Sequence, residues 1–362
     1  MKKKMLSLLL CVIMMMVVSA GCGGEVTEVS NSNAGGSESS GGSSDGPASG
    51  KTFAIVVKSA GNPYNEKQIA GFKEVIEAEG GTCIVKQPEA ATAEAQITMI
   101  NELVAQNVDN IAIAGNDYDA LQPALEVAME KGIKVSSFDA NVNPESRLTF
   151  VNQAGVDEIG HTLMEAVLDI SDSEGQWAIL SATSQATNQN AWIEAMKRVM
   201  EDEKYAGLEL VEVVYGDDEY QESVDQTQAL LQNYPDLKVI CAPTTVGIMA
   251  AAKVIQDQGV SGTVKLTGLG LPSEMADYIG DGDDNSCPYM YLWNPLDVGR
   301  LTAYTSIALV NGDITGEAGE TFKAGDMGEY TVTESADGGT EIIVGPPFRF
   351  DSSNIDEWKG VY

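Results

Sequence analysis

The sequence predicts an α/β protein built as two doubly wound parallel-sheet lobes. Three observations lead there. Short apolar runs of strand length alternate with stretches of helical periodicity along most of the chain after Lys51. Strand starts recur at intervals of roughly 30 residues, the length of a strand–helix–strand unit, and the alternation begins afresh half-way along. The roughly 312 residues from Lys51 to Tyr362 are also too many for one small core.

The first half opens with the apolar run Phe53–Val57, followed by Ile69, Phe72, Val75 and Ile76 at helical spacing. Cys83–Val85 is the second strand. Ile97, Ile100, Leu103 and Val104 mark the next helix, and Ile111–Ala114 the third strand. Leu121, Leu125, Ala128 and Met129 share the face of a helix that Gly132 ends, and Ile133–Ser137 is the fourth strand. Strands alternating with helices in this way make a parallel sheet covered on both faces.

The same grammar resumes after Val151. Ile159, Leu163, Val167 and Ile170 are helical, Trp177–Leu180 is a strand, and Trp192, Met196 and Val199 lie on a helix. Leu208–Val214, Leu237–Cys241 and Val264–Thr267 are further strands, separated by helices around Val224–Leu231 and Ile248–Ile255. From about Gly312 the pattern changes to a Gly-rich segment. Its short runs Tyr330–Thr333, Glu341–Val344 and Phe348–Phe350 read as strands or a hairpin.

The N-terminus reads as an export signal occupying residues 1–21. Lys2, Lys3 and Lys4 precede an apolar stretch, Met5–Val18, too short to span a bilayer. Val18-Ser19-Ala20-Gly21-Cys22 resembles a lipobox, which makes Cys22 the expected lipidation site and two acyl chains the expected membrane anchor. Residues 22–50 then form a flexible Gly/Ser tether reaching about 30 Å. Gly42-Ser43-Ser44-Asp45-Gly46 matches a hydrolase nucleophile pattern but has no strand before it and no helix after it.

Formal charge is −33, and loss of the three signal lysines makes it −36. So acidic a surface repels nucleic acid and anionic lipid, and no nucleic-acid partner is expected. Cys83, Cys241 and Cys287 remain after Cys11 leaves and Cys22 is acylated, an odd set with neither disulfide nor metal spacing.

Ligands of open parallel sheets bind beyond the carboxyl ends of the strands. That rule selects Lys58 and Gly61-Asn62-Pro63-Tyr64 after the first strand, Asn116 and Asp117 after the third, and Asp139 after the fourth. In the second half it selects Thr187-Asn188-Gln189-Asn190, Pro243-Thr244-Thr245 and Gly268-Leu269-Gly270. Lys58 and Asp139 supply charge, and Asn188 and Gln189 both donate and accept. Tyr64, Trp192 and Trp293 suit the apolar face of a small polyol. Lys58 at a strand end is equally a solvated lysine, and Asp139 a turn cap. On spacing alone Trp192 fits a helix core better than a ligand contact.

Catalytic signatures fail. His161, the single histidine, lies mid-helix and no P-loop is present. Gly268-Leu269-Gly270 lacks the third glycine of a dinucleotide fingerprint. Asp281-Gly282-Asp283-Asp284-Asn285 begins like a calcium loop, but Ser286 and Leu292 stand where glycine and glutamate are needed. The chain reads as a binding protein with no enzyme activity, no cofactor and no metal.

From Lys51 to about Tyr362 the chain resembles the type I periplasmic binding proteins of ABC importers. It is most similar to their autoinducer-2-binding and rhamnose-binding branch. Phe53–Lys58, Ser137-Phe138-Asp139, Thr187–Trp192, Ala242-Pro243 and Leu292-Trp293 carry the resemblance. It implies two lobes joined by a hinge, with a ligand held by Lys58, Asp139, Gln189 and the main chain at Pro243 and Thr245. Asn188 stands where the autoinducer-2 branch has aspartate, and Thr245 where it has alanine. It also implies chain crossings near 140–147 and 287–291 and a third in the C-terminal region. The lobes would then comprise 51–141 with about 290–322, and 142–289 with about 323–362. The expected role is delivery of autoinducer-2 or a sugar such as rhamnose to an ABC permease and its ATPase. The protein would act as a monomer outside the cell membrane; docking on a membrane receptor or kinase is the alternative.

Overall fold

The computed structural model describes residues 46–362; the export signal, Cys22 and most of the tether lie outside the described residues. Residues just before the expected boundary at 51 pack onto the domain. Ala48 is fully buried, and its N–H donates to the Glu79 carbonyl at 3.0 Å.

The first half comprises β1 (Thr52–Val56), α1 (Pro63–Ala78), β2 (Thr82–Lys86), α2 (Ala93–Gln106), β3 (Asn110–Ile113), α3 (Gln122–Glu130), β4 (Lys134–Phe138) and β5 (Phe150–Asn152). The second comprises α4 (Val156–Ile170), β6 (Gly175–Ser181), α5 (Thr187–Val199), β7 (Leu208–Tyr215), α6 (Tyr220–Asn233), β8 (Leu237–Ala242), α7 (Thr245–Asp257), β9 (Lys265–Gly268), α8 (Pro272–Met275) and β10 (Tyr289–Leu292). The remainder holds α9 (Pro295–Asn311), β11 (Thr321–Lys323), β12 (Glu329–Thr331), β13 (Thr333–Glu334), β14 (Thr340–Ile343), β15 (Phe348–Asp351) and α10 (Ile355–Trp358).

Two sheets organise these elements, in the orders β13-β14-β5-β4-β3-β1-β2 and β7-β6-β8-β9. All pairings within them are parallel except β13–β14. The antiparallel pair β10–β15 lies beside β9, joined to it through a bridge between Leu269 and Tyr291.

Burial on both faces explains the unbroken apolar runs. Phe53 and Ile55 of β1 point into one core with Phe72 and Ile76, while Ala54 and Val56 point into another with Ile100, Leu103 and Leu125. Helix starts are written in the sequence. The Asn62 side chain accepts from the Tyr64 N–H at 3.0 Å ahead of Pro63, and Asn294 accepts from Leu296 N–H ahead of Pro295. Gly71 and Gly299 let α1 and α9 touch backbone to backbone. A Cβ at Gly71 would lie 2.1 Å from the Leu296 carbonyl oxygen, and one at Gly299 2.1 Å from that of Gln68.

The lobes exchange chain at 153–155, 293–294 and 344–347, each passage joining an element of the first sheet's lobe to one of the second's. Two expectations change. Phe150–Asn152 was expected in the second lobe, yet pairs in parallel with β4 and moves the first crossing past 152. The C-terminal segment divides between the lobes: β14 pairs with β5 in the first sheet, and β15 pairs with β10.

Candidate functional site

The carboxyl ends of both parallel sheets face one cleft, and the loops after β1, β4, β6, β7 and β8 meet there. Lys58 follows β1 and is 6 % exposed. Its backbone is fixed from behind, since Asn116 Nδ2 donates to the Lys58 carbonyl at 2.8 Å. Gln96 completes the brace by donating to the carbonyls of Val57 and Ala114 and accepting from the Asn116 N–H. Asn116 therefore supports the wall; it does not line the cavity, contrary to expectation, because its amide points back along the strand end. The Lys58 ammonium crosses the cleft and donates to Asn188 Oδ1 at 3.2 Å and Gln189 Oε1 at 3.1 Å, both in the first turn of α5.

Asp139 follows β4 with φ of 57°, in the left-handed region that aspartate tolerates better than most residues. Its N–H is held by the Val151 carbonyl at 3.1 Å. Tyr64 donates to Asp139 Oδ1 at 2.9 Å, and Trp293 Nε1 donates to the Tyr64 hydroxyl at 2.6 Å. Asn188 Nδ2 reaches Asp139 Oδ2 from the opposite lobe at 3.5 Å. Trp293 packs edge-on against both Trp192, at 5.7 Å between ring centres, and Tyr64, at 6.5 Å.

Nine of the ten expected residues line one cavity of about 40 Å³: Lys58, Tyr64, Asp139, Asn188, Gln189, Trp192, Pro243, Thr245 and Trp293. Asn62, Asn65, Asp218, Thr244, Leu269 and Leu292 join them. Asp218 follows β7 and accepts across the cleft from Ser59 Oγ at 3.3 Å and Asn62 Nδ2 at 3.1 Å. The strand-end rule, applied after Leu208–Val214, would have found it.

Burial sets the electrostatics. It lowers the pKa of Lys58, against the raising pull of Asp218 and Asp139. It pushes Asp139 up to about 6, although Lys58 and the hydrogen bond from Tyr64 pull the other way. The site thus offers an ammonium, two carboxylates, four side-chain amides and an aromatic wall, enough to hold several hydroxyl groups in fixed directions.

The sequence pattern described as the periplasmic binding protein domain matches residues 53–314. The chain belongs to the periplasmic binding protein family. It is a solute-binding protein rather than an enzyme. An ABC transporter solute-binding protein from Clostridium phytofermentas, solved with bound L-rhamnose, is 62 % identical with a TM-score of 0.86. That alignment covers 87 % of this chain and all of the other. LsrB from Clostridium saccharobutylicum in complex with AI-2 has a TM-score of 0.78 at 19 % identity, over 85 % of this chain and 99 % of the other, a likeness of fold alone. The D-ribose/D-allose-binding protein of Pseudomonas aeruginosa is 26 % identical over 196 residues, spanning 52 % of this chain and 59 % of that protein's length.

Proposed function

We propose that this protein captures a neutral sugar of the L-rhamnose type in the cleft and hands it to an ABC permease outside the cell membrane. The observation that carries the reading is the polar cage spanning the lobes. Lys58 and Asp139 from one lobe meet Asn188 and Gln189 from the other, with Tyr64, Trp192 and Trp293 alongside. The 62 % identical relative with bound L-rhamnose supports the choice of ligand.

The cavity of about 40 Å³ is large enough for only a few water molecules, too small for a sugar. A sugar enters after the lobes part, and its hydroxyls take over the bonds that Lys58 now makes to Asn188 and Gln189. The Asp139 carboxylate accepts from sugar hydroxyls, Lys58 donates to them, and the backbone around Pro243 and Thr245 completes the grip. Asn188 favours a sugar over autoinducer-2. Its amide donates toward Asp139, where the aspartate of the autoinducer-2 branch would set two carboxylates face to face. Cys22 carries the lipid that tethers the domain, which works as a monomer.

A thermal-shift screen of L-rhamnose, other monosaccharides and autoinducer-2 tests the assignment. A ligand at 100 times its dissociation constant should stabilise the protein by about 2.7 kcal/mol. A shift with autoinducer-2 and none with any sugar would reverse the ligand choice.

A further inference from the structure

The lining of the cage divides into a polar part and an apolar part. Lys58, Asp139, Asn188 and Gln189 bring charge and amides to the cavity, while Trp192, Leu269, Leu292 and Trp293 bring hydrocarbon and rings. The apolar members gather because the fold ends neighbouring strands together. Leu269 directly follows β9, Leu292 closes β10, and a parallel bridge between Leu269 and Tyr291 aligns the two strand ends. Trp293 comes next in the chain and packs edge-on against Trp192 at 5.7 Å. All four are at most 4 % exposed.

This wall offers little to a hydroxyl group. Leucine side chains carry no polar atom. The Trp293 Nε1–H is engaged by the Tyr64 hydroxyl at 2.6 Å, and the Leu269 N–H by the Ala242 carbonyl at 3.0 Å. The Trp192 indole can donate one bond and accept none. A hydroxyl pressed against these four side chains loses its water and finds no side-chain acceptor among them, whereas a methyl group there loses nothing and gains contact.

We infer that this wall seats a methyl group of the sugar, so that the protein selects 6-deoxyhexoses and rejects hexoses of the same configuration that carry a hydroxyl at that carbon. This rests on the sugar-binding reading above and names the ring substituent that decides between sugars otherwise alike. The polar residues hold the ring hydroxyls that both kinds of sugar share. Discrimination therefore falls to Leu269, Leu292 and the two tryptophans.

The test is calorimetry on the purified protein with three sugars. L-mannose is L-rhamnose with a hydroxymethyl group in place of the methyl, and the pyranose form of L-lyxose lacks that carbon altogether. L-mannose should bind about thirtyfold weaker than L-rhamnose, and L-lyxose about tenfold weaker for want of the methyl contact. Leu269→Asn, which sets an amide in the wall at similar volume, should shrink the preference for L-rhamnose over L-mannose about tenfold. L-mannose or L-lyxose binding as tightly as L-rhamnose would overturn the methyl seat and leave the sugar reading intact; binding of none of the three would overturn both. An unchanged preference in a folded Leu269→Asn variant also counts against the seat. Should that variant melt early, the wild-type panel decides.

Discussion

Tyr64 donates its hydroxyl to Asp139 Oδ1 at 2.9 Å, and the direction of that bond is forced. The Trp293 indole can only donate, so the Tyr64 oxygen receives its N–H and turns its own proton toward the carboxylate. Asp139 is thereby held as an oriented acceptor inside a buried site.

The Asp139 pKa gives the first prediction. Its carboxyl sits at about 6 in the folded chain against an ordinary 3.8, so the folded state takes up this proton before the unfolded state does. The buried charge therefore costs roughly 3 kcal/mol above pH 6, and that cost is relieved as pH falls toward 4. Melting of the unliganded protein should show about half of this gain between pH 7.5 and 5 and most of it by pH 4, and Asp139→Asn should abolish the trend. Sugar affinity should move the opposite way, falling about tenfold as the acceptor is protonated. Affinity unchanged from pH 7.5 to 4.5 would remove Asp139 from the ligand.

Asn188→Asp should weaken sugar binding at least about tenfold at neutral pH. It sets a second carboxylate 3.5 Å from Asp139 Oδ2 and raises the pH at which the pair ionises. Titration calorimetry at two pH values reads both effects. Unaltered affinity would mean that the amide selects nothing.

Much of this site was legible because strand ends follow from hydrophobic periodicity, and Lys58, Asp139, Asn188 and Gln189 all sit there. The rule locates a residue but not the direction of its side chain, which is why Asn116 proved to be a brace. Spacing placed Trp192 in a helix core, and it is 2 % exposed, yet it also lines the cavity. Pairing across long separations left no local signal. Glu341 aligns with Phe150 in the sheet, and the short run at 150–152 has only a single 3-10 turn, Pro144–Ser146, and no α-helix before it to mark it as a fifth parallel strand.

Asp218→Ala should favour open lobes. It removes the acceptor shared by Ser59 and Asn62 and leaves Lys58 with one carboxylate fewer. Small-angle scattering should give a larger radius for the unliganded variant, and affinity should fall about three- to tenfold. A radius and affinity equal to wild type would show that this contact does not hold the lobes together.

Cys22→Ser should release the protein from the membrane fraction while leaving sugar binding intact. Fractionation and mass spectrometry of the N-terminus check this. Wild-type protein recovered free, with residues upstream of Cys22 still attached, would refute the lipid anchor.

The most direct test of the central claim is calorimetric titration of L-rhamnose into the wild-type protein and into Lys58→Met. Lys58 donates to both Asn188 and Gln189 from inside the cleft, and methionine keeps its bulk without the charge. The account predicts one site per chain in the wild type and a loss of about one hundredfold in a variant that melts as a folded protein. No heat from L-rhamnose or related sugars, or full affinity in Lys58→Met, would contradict it.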